Sequence, residues 1–285
     1  MLDRRPAVCN PLLRMTKPVG QPTRGFTAPN RLRLVDTYVL VALREHLRHM
    51  PGVFVDLGYG ATPVTTVESL LRFRKVNPGL QAVGVEIDPE RVEAALPFAS
   101  KGLAFRRGGF NLPMNQGEPV ALVRAFNVLR QYDEDEVSQS LATLALSMAP
   151  CAWLMEGTSD PAGRHVCFWA WQRSAEPTPA ARNPRAVLLE RRWLVFGART
   201  LETFTPRDLQ PFLPKELIHH AEPGGKVDAF FAAWERAWMA NAALAPRHRW
   251  AAAARHLAHS SAGVDARVAL VSRGLVAVKP ESVFA

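Results

Sequence analysis

Short apolar runs alternate with segments of helical spacing between residues 50 and 160. Five runs have the length and apolar character of buried strands: 53–58, 81–88, 103–109, 120–127 and 151–158. Between them, apolar residues recur every three or four positions, as on one face of a helix, over 63–77, 89–100 and 134–149. This order predicts an α/β fold, with a doubly wound, mostly parallel sheet of about seven strands and helices on both faces. Ligands of such sheets bind at the carboxyl ends of the strands.

The segments outside this region have weaker patterns. Residues 1–29 show no periodicity and are rich in Pro and Arg, which predicts an extended arm. A helix is expected after Asn30, a residue type that caps helices. We therefore divide the chain into an arm, 1–29, and one domain, 30–285, whose C-terminal half is 186–285.

The C-terminal half contains one helix with a pronounced aromatic face. Over 226–244 its aromatic side chains are Phe230, Phe231, Trp234 and Trp238. Packing inside the core explains such a stripe, and so does a dimer face, so the oligomeric state stays open. We also predict a Pro-rich loop over 174–186, a strand or hairpin over 187–197, a helix near 247–260 and a strand or hairpin over 266–279.

Charge and cysteine content narrow the class of protein. The net charge is +9, and the first fifty residues hold nine Arg or Lys against three acids. A basic arm suits nucleic acid, an anionic lipid surface or an acidic small molecule, and it is also typical of a solvated extension. No apolar run approaches the ~20 residues of a membrane span, and no secretory apolar segment is present. Three cysteines without a CxxC pair indicate reduced thiols, a cytoplasmic protein and no metal site.

The stretch VDLGYGATP, after the first predicted strand, has the features of a ligand-binding turn. An acid is followed by Gly-x-Gly and by a helix start at Thr62-Pro63, where Thr62 is expected to cap the helix. A dinucleotide site would have a third glycine where Pro63 stands and an acid about 20 residues on, but Glu86 is further away. A Walker loop is excluded, because no Gly-Lys-Ser/Thr follows.

These residues resemble class I S-adenosylmethionine-dependent methyltransferases, which have a Rossmann-like fold. Asp56 to Thr62 is similar to the first motif of that family, and GVEID (84–88) is similar to its second motif. The whole chain is similar to poorly characterised bacterial proteins of this superfamily. The resemblance implies S-adenosylmethionine as cofactor, with its methionine part at the first loop and its ribose at Glu86. It covers about residues 50–160, and two positions depart from the family pattern: Thr62 replaces the third glycine, and Gly109 stands where an acid often binds adenine.

The resemblance also implies roles for individual side chains. Phe110 is a candidate for stacking on adenine and Asn111 for bonding its edge, although Phe110 is equally typical of a core. The cofactor-binding set is Asp56, Gly58, Tyr59, Gly60, Thr62, Glu86, Ile87, Phe110, Asn111 and Asn127. The catalytic candidates are Asn127 and Glu156. The substrate-binding candidates are Arg24, Arg124 and Tyr132.

The acceptor of the methyl group stays open at this stage. A small molecule is the first choice. Nucleic acid is an alternative, supported by the basic arm and by the segment NLPM (111–114), which is similar to the Asn-Leu-Pro-Tyr segment of nucleic-acid amino methyltransferases but has Met114 in place of the aromatic residue. A protein that binds the cofactor without turnover is the third possibility.

Overall fold

A mixed sheet of nine strands forms the centre of this computed structural model, which describes residues 17–22, 27–175, 189–199, 203–218, 220–260 and 263–283. The strand order is β3-β2-β1-β4-β5-β6-β7-β9-β8. The strands are β1 (Val53–Leu57), β2 (Ala82–Glu86), β3 (Leu103–Arg107), β4 (Val120–Phe126), β5 (Met148–Ser159), β6 (His165–Arg173), β7 (Leu189–Ala198), β8 (Val264–Asp265) and β9 (Leu275–Val278).

The sheet has a parallel half and an antiparallel half. Strands β1 to β5 are all parallel and follow the order 3-2-1-4-5 of a Rossmann sheet. Strands β6, β7, β9 and β8 continue the same sheet with antiparallel pairing. The predicted α/β, Rossmann-like class is confirmed, with nine strands in the described residues instead of about seven.

Helices cover both faces of the sheet. They are α1 (Arg33–Ala42), α2 (Arg44–His49), α3 (Val64–Phe73), α4 (Pro89–Ala95), α5 (Glu134–Ser147), α6 (Lys215–Ile218), α7 (Lys226–Met239), α8 (Pro246–Ser260) and α9 (Val268–Val271). The start of α4 shows how the sequence sets a boundary: the Asp88 carboxylate accepts hydrogen bonds from the N–H groups of Glu90 and Arg91, and Pro89 begins the helix.

Each face of the sheet has its own hydrophobic cluster. Helices α1, α2 and α3 pack with the cluster that contains Phe54 and Phe168, whereas α5, α7 and α8 pack with the cluster on the opposite face. In α7 the Trp234 ring lies edge-on to Phe196 of β7 and to Trp250 of α8, with 5.3 Å between ring centroids in both pairs. The aromatic face of α7 is therefore part of the core, because its side chains are buried inside this chain.

Several predicted boundaries differ from the structure. The residue that caps α1 is Leu32, whereas Asn30 has a φ of 63° and lies in the preceding turn. Pro63, not Thr62, is the cap residue of α3, and no side chain caps that helix. Strand β6 was not predicted, and the strand expected over 266–279 contains the short helix α9 before β9. The arm up to residue 16 and most of the predicted loop 174–186 lie outside the described residues.

Within the described ranges, no helix combines the length and apolar character that a membrane span requires.

Candidate functional site

The glycine loop after β1 lies at the carboxyl edge of the sheet. Gly58 and Gly60 have φ values of 70° and 86°, a region that residues with side chains rarely adopt. Between them, the ring of Tyr59 packs on Phe105 with 5.4 Å between centroids, and its carbonyl accepts a hydrogen bond from the Thr27 hydroxyl at 2.9 Å. The loop is therefore held from both sides while its backbone stays open to the adjoining cavity.

An open cavity of about 350 Å³ adjoins this loop. Its opposite wall carries two cationic side chains, Arg31 and Arg130, and the amide of Asn127. The Arg31 guanidinium donates to the Ser159 hydroxyl at 3.1 Å and to the Asp160 carbonyl at 3.2 Å, at the end of β5. Burial lowers the pKa of Arg31, and the charge of Asp160 opposes this shift. With two cations on its wall, the cavity suits a ligand that carries an anionic group.

Behind the loop, Arg124 forms a buried ionic network. Its Nε and Nη2 donate to the two carboxylate oxygens of Asp56 at 2.9 and 2.7 Å, and Nη1 donates to Asp36 at 2.8 Å and to the Ser69 hydroxyl. The Asp56 carboxylate also accepts from the Thr66 hydroxyl at 2.7 Å. Arg124 is 2% exposed, and the carboxylates of Asp36 and Asp56 balance its positive charge inside the protein.

This network corrects the expectation that Arg124 contacts the substrate. Its side chain is committed to Asp36, Asp56 and Ser69, and it does not line the cavity. Asp56 does line the cavity, but both of its carboxylate oxygens are bonded to Arg124. The pair therefore holds the start of the glycine loop in position.

Glu86, at the end of β2, has a buried carboxylate that is hydrogen-bonded to the loop backbone. One of its oxygens accepts from the Gly60 N–H at 3.0 Å, and the other accepts from the Ile87 N–H at 2.8 Å. Only 1% of the residue is exposed. The structure thus brings together the loop and the acid that resemble the two methyltransferase motifs.

Residues 17–22, here named the strap, cross the loop that follows β3. Val19 forms two backbone contacts there: its N–H donates to the Asn111 side-chain oxygen at 2.8 Å, and its carbonyl accepts from the Phe110 N–H at 2.9 Å. The Asn111 amide donates to the Lys17 carbonyl at 3.0 Å, and the Gln21 N–H donates to the Tyr132 hydroxyl at 2.5 Å. The side chains expected to meet adenine or substrate are therefore engaged with the strap.

The space beside the strap is small. The slot between Glu86, Phe110, Tyr132 and the strap has a volume of about 20 Å³. The Phe110 ring is 2% exposed and lies edge-on to the Tyr132 ring, with 5.6 Å between centroids. The adenine roles predicted for Phe110 and Asn111 therefore require the strap to leave, since this slot cannot hold a purine while the strap is seated.

Asn127 lies at the turn that follows β4. Its φ is 59°, and its side chain donates to the Ser159 hydroxyl at 3.2 Å and accepts from the Ser159 N–H at 3.1 Å. Both the nitrogen and the oxygen of the amide are hydrogen-bonded, so Asn127 holds this turn in place at the cavity wall.

Glu156 lies on the face of the sheet that α5 and α6 cover, away from the open cavity. It faces Leu129, Thr158 and Trp171 in a separate small cavity and does not line the cavity that contains Asn127. Burial raises the pKa of Glu156 to about 8, Glu216 adds to the shift and Arg191 opposes it. As a catalytic candidate it is misplaced, because side chains alternate between the two faces along a strand.

Three further residues were predicted to belong to the site. Thr62 is exposed and does not line the cavity. Ile87 is partly buried and borders the slot beside the strap. Arg24 lies outside the described residues.

Sequence reasoning did not assign Thr27 or Arg31 to the site. Both belong to a run of polar residues just before α1, which includes Thr27, Asn30 and Arg31, and this run was the available signal. Their partners, Tyr59 and Ser159, are 32 and 128 residues away in the chain, so no local pattern connects them.

No family model matches the chain, and no curated protein matches its sequence. Among solved structures, the chain is similar to a methyltransferase of Haloferax volcanii in complex with a methyltransferase activator (21% identity, 45% of this chain and 56% of that one, TM-score 0.31). It is also similar to the plantazolicin methyltransferase BpumL with a desmethyl analog and SAH (11% identity, 46% of this chain and 48% of that one, TM-score 0.37). A third similar structure is the magnesium protoporphyrin IX methyltransferase of Synechocystis PCC 6803 with bound SAM (20% identity, 44% of this chain and 58% of that one, TM-score 0.31).

The chain spans about half the length of the proteins in the first two of these structures. At TM-scores of 0.31 to 0.37 the likeness is partial, and it assigns no activity, substrate or partner to this chain. The chain resembles the class I S-adenosylmethionine-dependent methyltransferases in its two sequence motifs, Asp56–Thr62 and Gly84–Asp88, and its first five strands have the Rossmann order.

Proposed function

We propose that the chain binds S-adenosylmethionine at the carboxyl edge of β1 and β2 and transfers its methyl group to an acceptor in the open cavity. Bound S-adenosylmethionine supplies an electrophilic methyl group on a sulfonium centre. The protein would contribute binding and alignment, which can lower a barrier by several kcal/mol without a dedicated base.

The observation that carries this proposal is the position of Glu86 beside the glycine loop. A buried carboxylate within 3.0 Å of the Gly60 N–H is suited to accept hydrogen bonds from the vicinal hydroxyls of a ribose. Gly58 and Gly60 leave the loop backbone accessible to the rest of the cofactor.

The open cavity has room for one part of the cofactor, whereas the other part fits only when the strap has left its slot. The cavity of about 350 Å³ has room for the methionine part and an acceptor, and Arg31 is a suitable partner for the methionine carboxylate. The adenosine part needs the slot beside Glu86 and Phe110, which the strap occupies. We therefore propose that the strap leaves this slot when the cofactor binds.

The kind of acceptor and one alternative function are tested together with this proposal. A small-molecule acceptor suits the size of the open cavity. A chain that binds the cofactor without turnover is favoured by one observation, the strap in the adenosine slot, since a closed slot limits exchange of the cofactor.

The test is calorimetric titration with S-adenosylmethionine and with its demethylated product, S-adenosylhomocysteine. We expect Glu86→Gln to weaken binding by about 1–3 kcal/mol, because it removes a charge-assisted acceptor. Glu93→Gln is the matched control, since Glu93 is an exposed acid on the next helix, α4.

The outcomes separate the possibilities. Absence of binding by the wild type and by a variant with a weakened strap contradicts the proposal. Equal affinities of wild type and Glu86→Gln contradict the ribose assignment alone. Binding without transfer of a labelled methyl group to any acceptor in a cell extract favours the non-catalytic alternative.

A further inference from the structure

A second cavity, of about 560 Å³, lies in the antiparallel half of the sheet, where β7 ends and where β6 and β9 begin. Its walls come from the first turns of α1 and α8, the turn before β6, the end of β7 and the turn before β9. Four arginines line it: Arg33, Arg199, Arg247 and Arg273. Its lining contains no Asp or Glu, so the cavity is a region of concentrated positive charge.

The described carboxylates do not neutralise these arginines. Among the described residues, none of the four forms an ion pair. Arg247 donates to the Ser272 carbonyl at 3.0 Å and Arg273 to the Ala269 carbonyl at 2.8 Å, which orients the guanidinium groups without cancelling their charge. Like charges around one cavity repel each other, and a bound anion relieves that repulsion.

Several other arginines of the chain are paired with acids. Arg106 binds Glu118, and Arg191 binds Glu216. Arg207 contacts both Asp228 and Glu235. The four cavity arginines come from distant parts of the chain and still share one opening without a described acid. The feature that points to a ligand is the grouping of four such arginines around one opening.

The other polar side chains of the described lining include the hydroxyls of Thr37 and Ser272, so the arginines carry its charge. Guanidinium groups donate hydrogen bonds and accept none. The planar fork of arginine matches the oxygens of a phosphate, which explains why arginine is common in phosphate sites.

The arginine cavity lies next to the open cavity of the candidate active site. Arg31 lines the open cavity, and Arg33, two residues further along, lines the arginine cavity. Gly163 lines the arginine cavity too, and a Cβ there would approach the Arg31 carbonyl within 2.1 Å. The two cavities are thus separated only by the start of α1 and the turn before β6.

We propose that the arginine cavity binds the phosphate groups of a phosphate-bearing ligand. The volume of about 560 Å³ admits more than one phosphate. Such phosphates have two sources, the backbone of a single-stranded nucleic acid or a small phosphorylated molecule. Phosphate binding at this cavity needs neither the cofactor nor methyl transfer.

The experiment uses the full chain without cofactor. A labelled short single-stranded oligoribonucleotide is titrated by fluorescence anisotropy over a series of salt concentrations, and pyrophosphate is titrated by calorimetry. The test variant is Arg247→Gln/Arg273→Gln. The matched control is Arg236→Gln/Arg255→Gln, which removes the same charge from exposed positions on α7 and α8 that do not line the cavity. Thermal melts confirm that both variants are folded.

For a nucleic-acid ligand, the log–log slope of affinity against salt should become shallower by about 1.4 in the test variant, since each lost phosphate contact on a single strand removes about 0.7. The control should keep the slope of the wild type. For a small ligand, pyrophosphate affinity should fall at least tenfold in the test variant and stay the same in the control. The proposal is overturned if neither probe distinguishes the two variants. Titration with S-adenosylhomocysteine tests the proposed function separately.

Discussion

Gly20 provides a direct test of whether the strap controls access to the slot in which we propose that adenosine binds. Its φ is 134°, and a Cβ at this position would lie 3.1 Å from the Tyr132 hydroxyl and 3.3 Å from the Phe110 ring. In Gly20→Ala, both the backbone conformation and the close approach disfavour the seated strap. A residue with a side chain in such a φ/ψ region costs about 1–3 kcal/mol.

The strap is held weakly enough for this change to matter. It forms five hydrogen bonds with the rest of the chain, through the backbone of Lys17, Val19 and Gln21. At about 1 kcal/mol each these bonds stabilise the strap by about 5 kcal/mol, and ordering six backbone residues costs a similar amount, about 1 kcal/mol each. Because these two contributions nearly cancel, the packing of the strap on Phe110 and Tyr132 decides the balance. A net balance of about 1.4–2.7 kcal/mol in favour of the seated strap corresponds to about 90–99% occupancy, which weakens the apparent affinity for a competing ligand by about 10–100-fold.

We therefore expect Gly20→Ala to bind S-adenosylhomocysteine up to about 10–100-fold more tightly than the wild type. The assay is isothermal titration calorimetry with the full chain. Gly224→Ala is the matched control, because Gly224 has a φ of 82° but no heavy atom within 4 Å of its Cβ position, and it does not line the slot. Its affinity should equal that of the wild type.

Unchanged or weaker binding by Gly20→Ala would refute this reasoning. Weaker binding would mean that the seated strap forms part of the cofactor site. Equal affinity, with a thermal midpoint shifted as in Gly224→Ala, would mean that the strap does not compete with the ligand.

Two further predictions concern buried charges. Arg124→Gln leaves the carboxylates of Asp36 and Asp56 without their buried partner, and we expect it to lower the free energy of unfolding by about 3–5 kcal/mol in urea denaturation. Arg72→Gln, whose side chain is 20% exposed and bonded to the same Asp36, should cost clearly less, and equal losses would contradict this account. The Glu156 carboxyl, with its pKa raised from 4.5 to about 8, stays protonated in the folded state and loses its proton on unfolding, so stability falls as pH rises through this window. Glu156→Gln should therefore be more stable than the wild type by about 3 kcal/mol at pH 7 and equally stable near pH 4.5, and a constant difference across this range would contradict the shifted pKa.

Local sequence patterns were sufficient to predict the parallel half of the sheet. Five strands and the helices between them were predicted near their observed positions, because each is determined by periodicity within a few turns of chain. The pairing of the glycine loop with Glu86 was also predictable, since successive parallel strands end at the same edge. Strand β6 (165–173) was not predicted. Its place in the sheet is determined by pairing with β5 on one side and β7 on the other, and this pairing is set by the tertiary structure.

Side-chain roles that depend on distant partners were beyond the sequence. Arg124 had the pattern of an accessible cation, yet its partner Asp36 is 88 residues away and removes its charge from the cavity. Asn111 had the pattern of a ligand contact, yet Val19, 92 residues away, occupies its side-chain oxygen. Glu156 was assigned to the right strand and to the wrong face.

The sequence by itself determined the α/β alternation, the glycine turn and the acid that ends the second strand, because these follow from short-range spacing and backbone conformation. Only the tertiary structure decided which charges are buried in pairs, what lies over the slot between Glu86 and Phe110, and that four arginines from separate segments share one cavity. The physical reason is that burial and electrostatic neutralisation are properties of neighbours in space, and in this chain those neighbours are tens to more than a hundred residues apart.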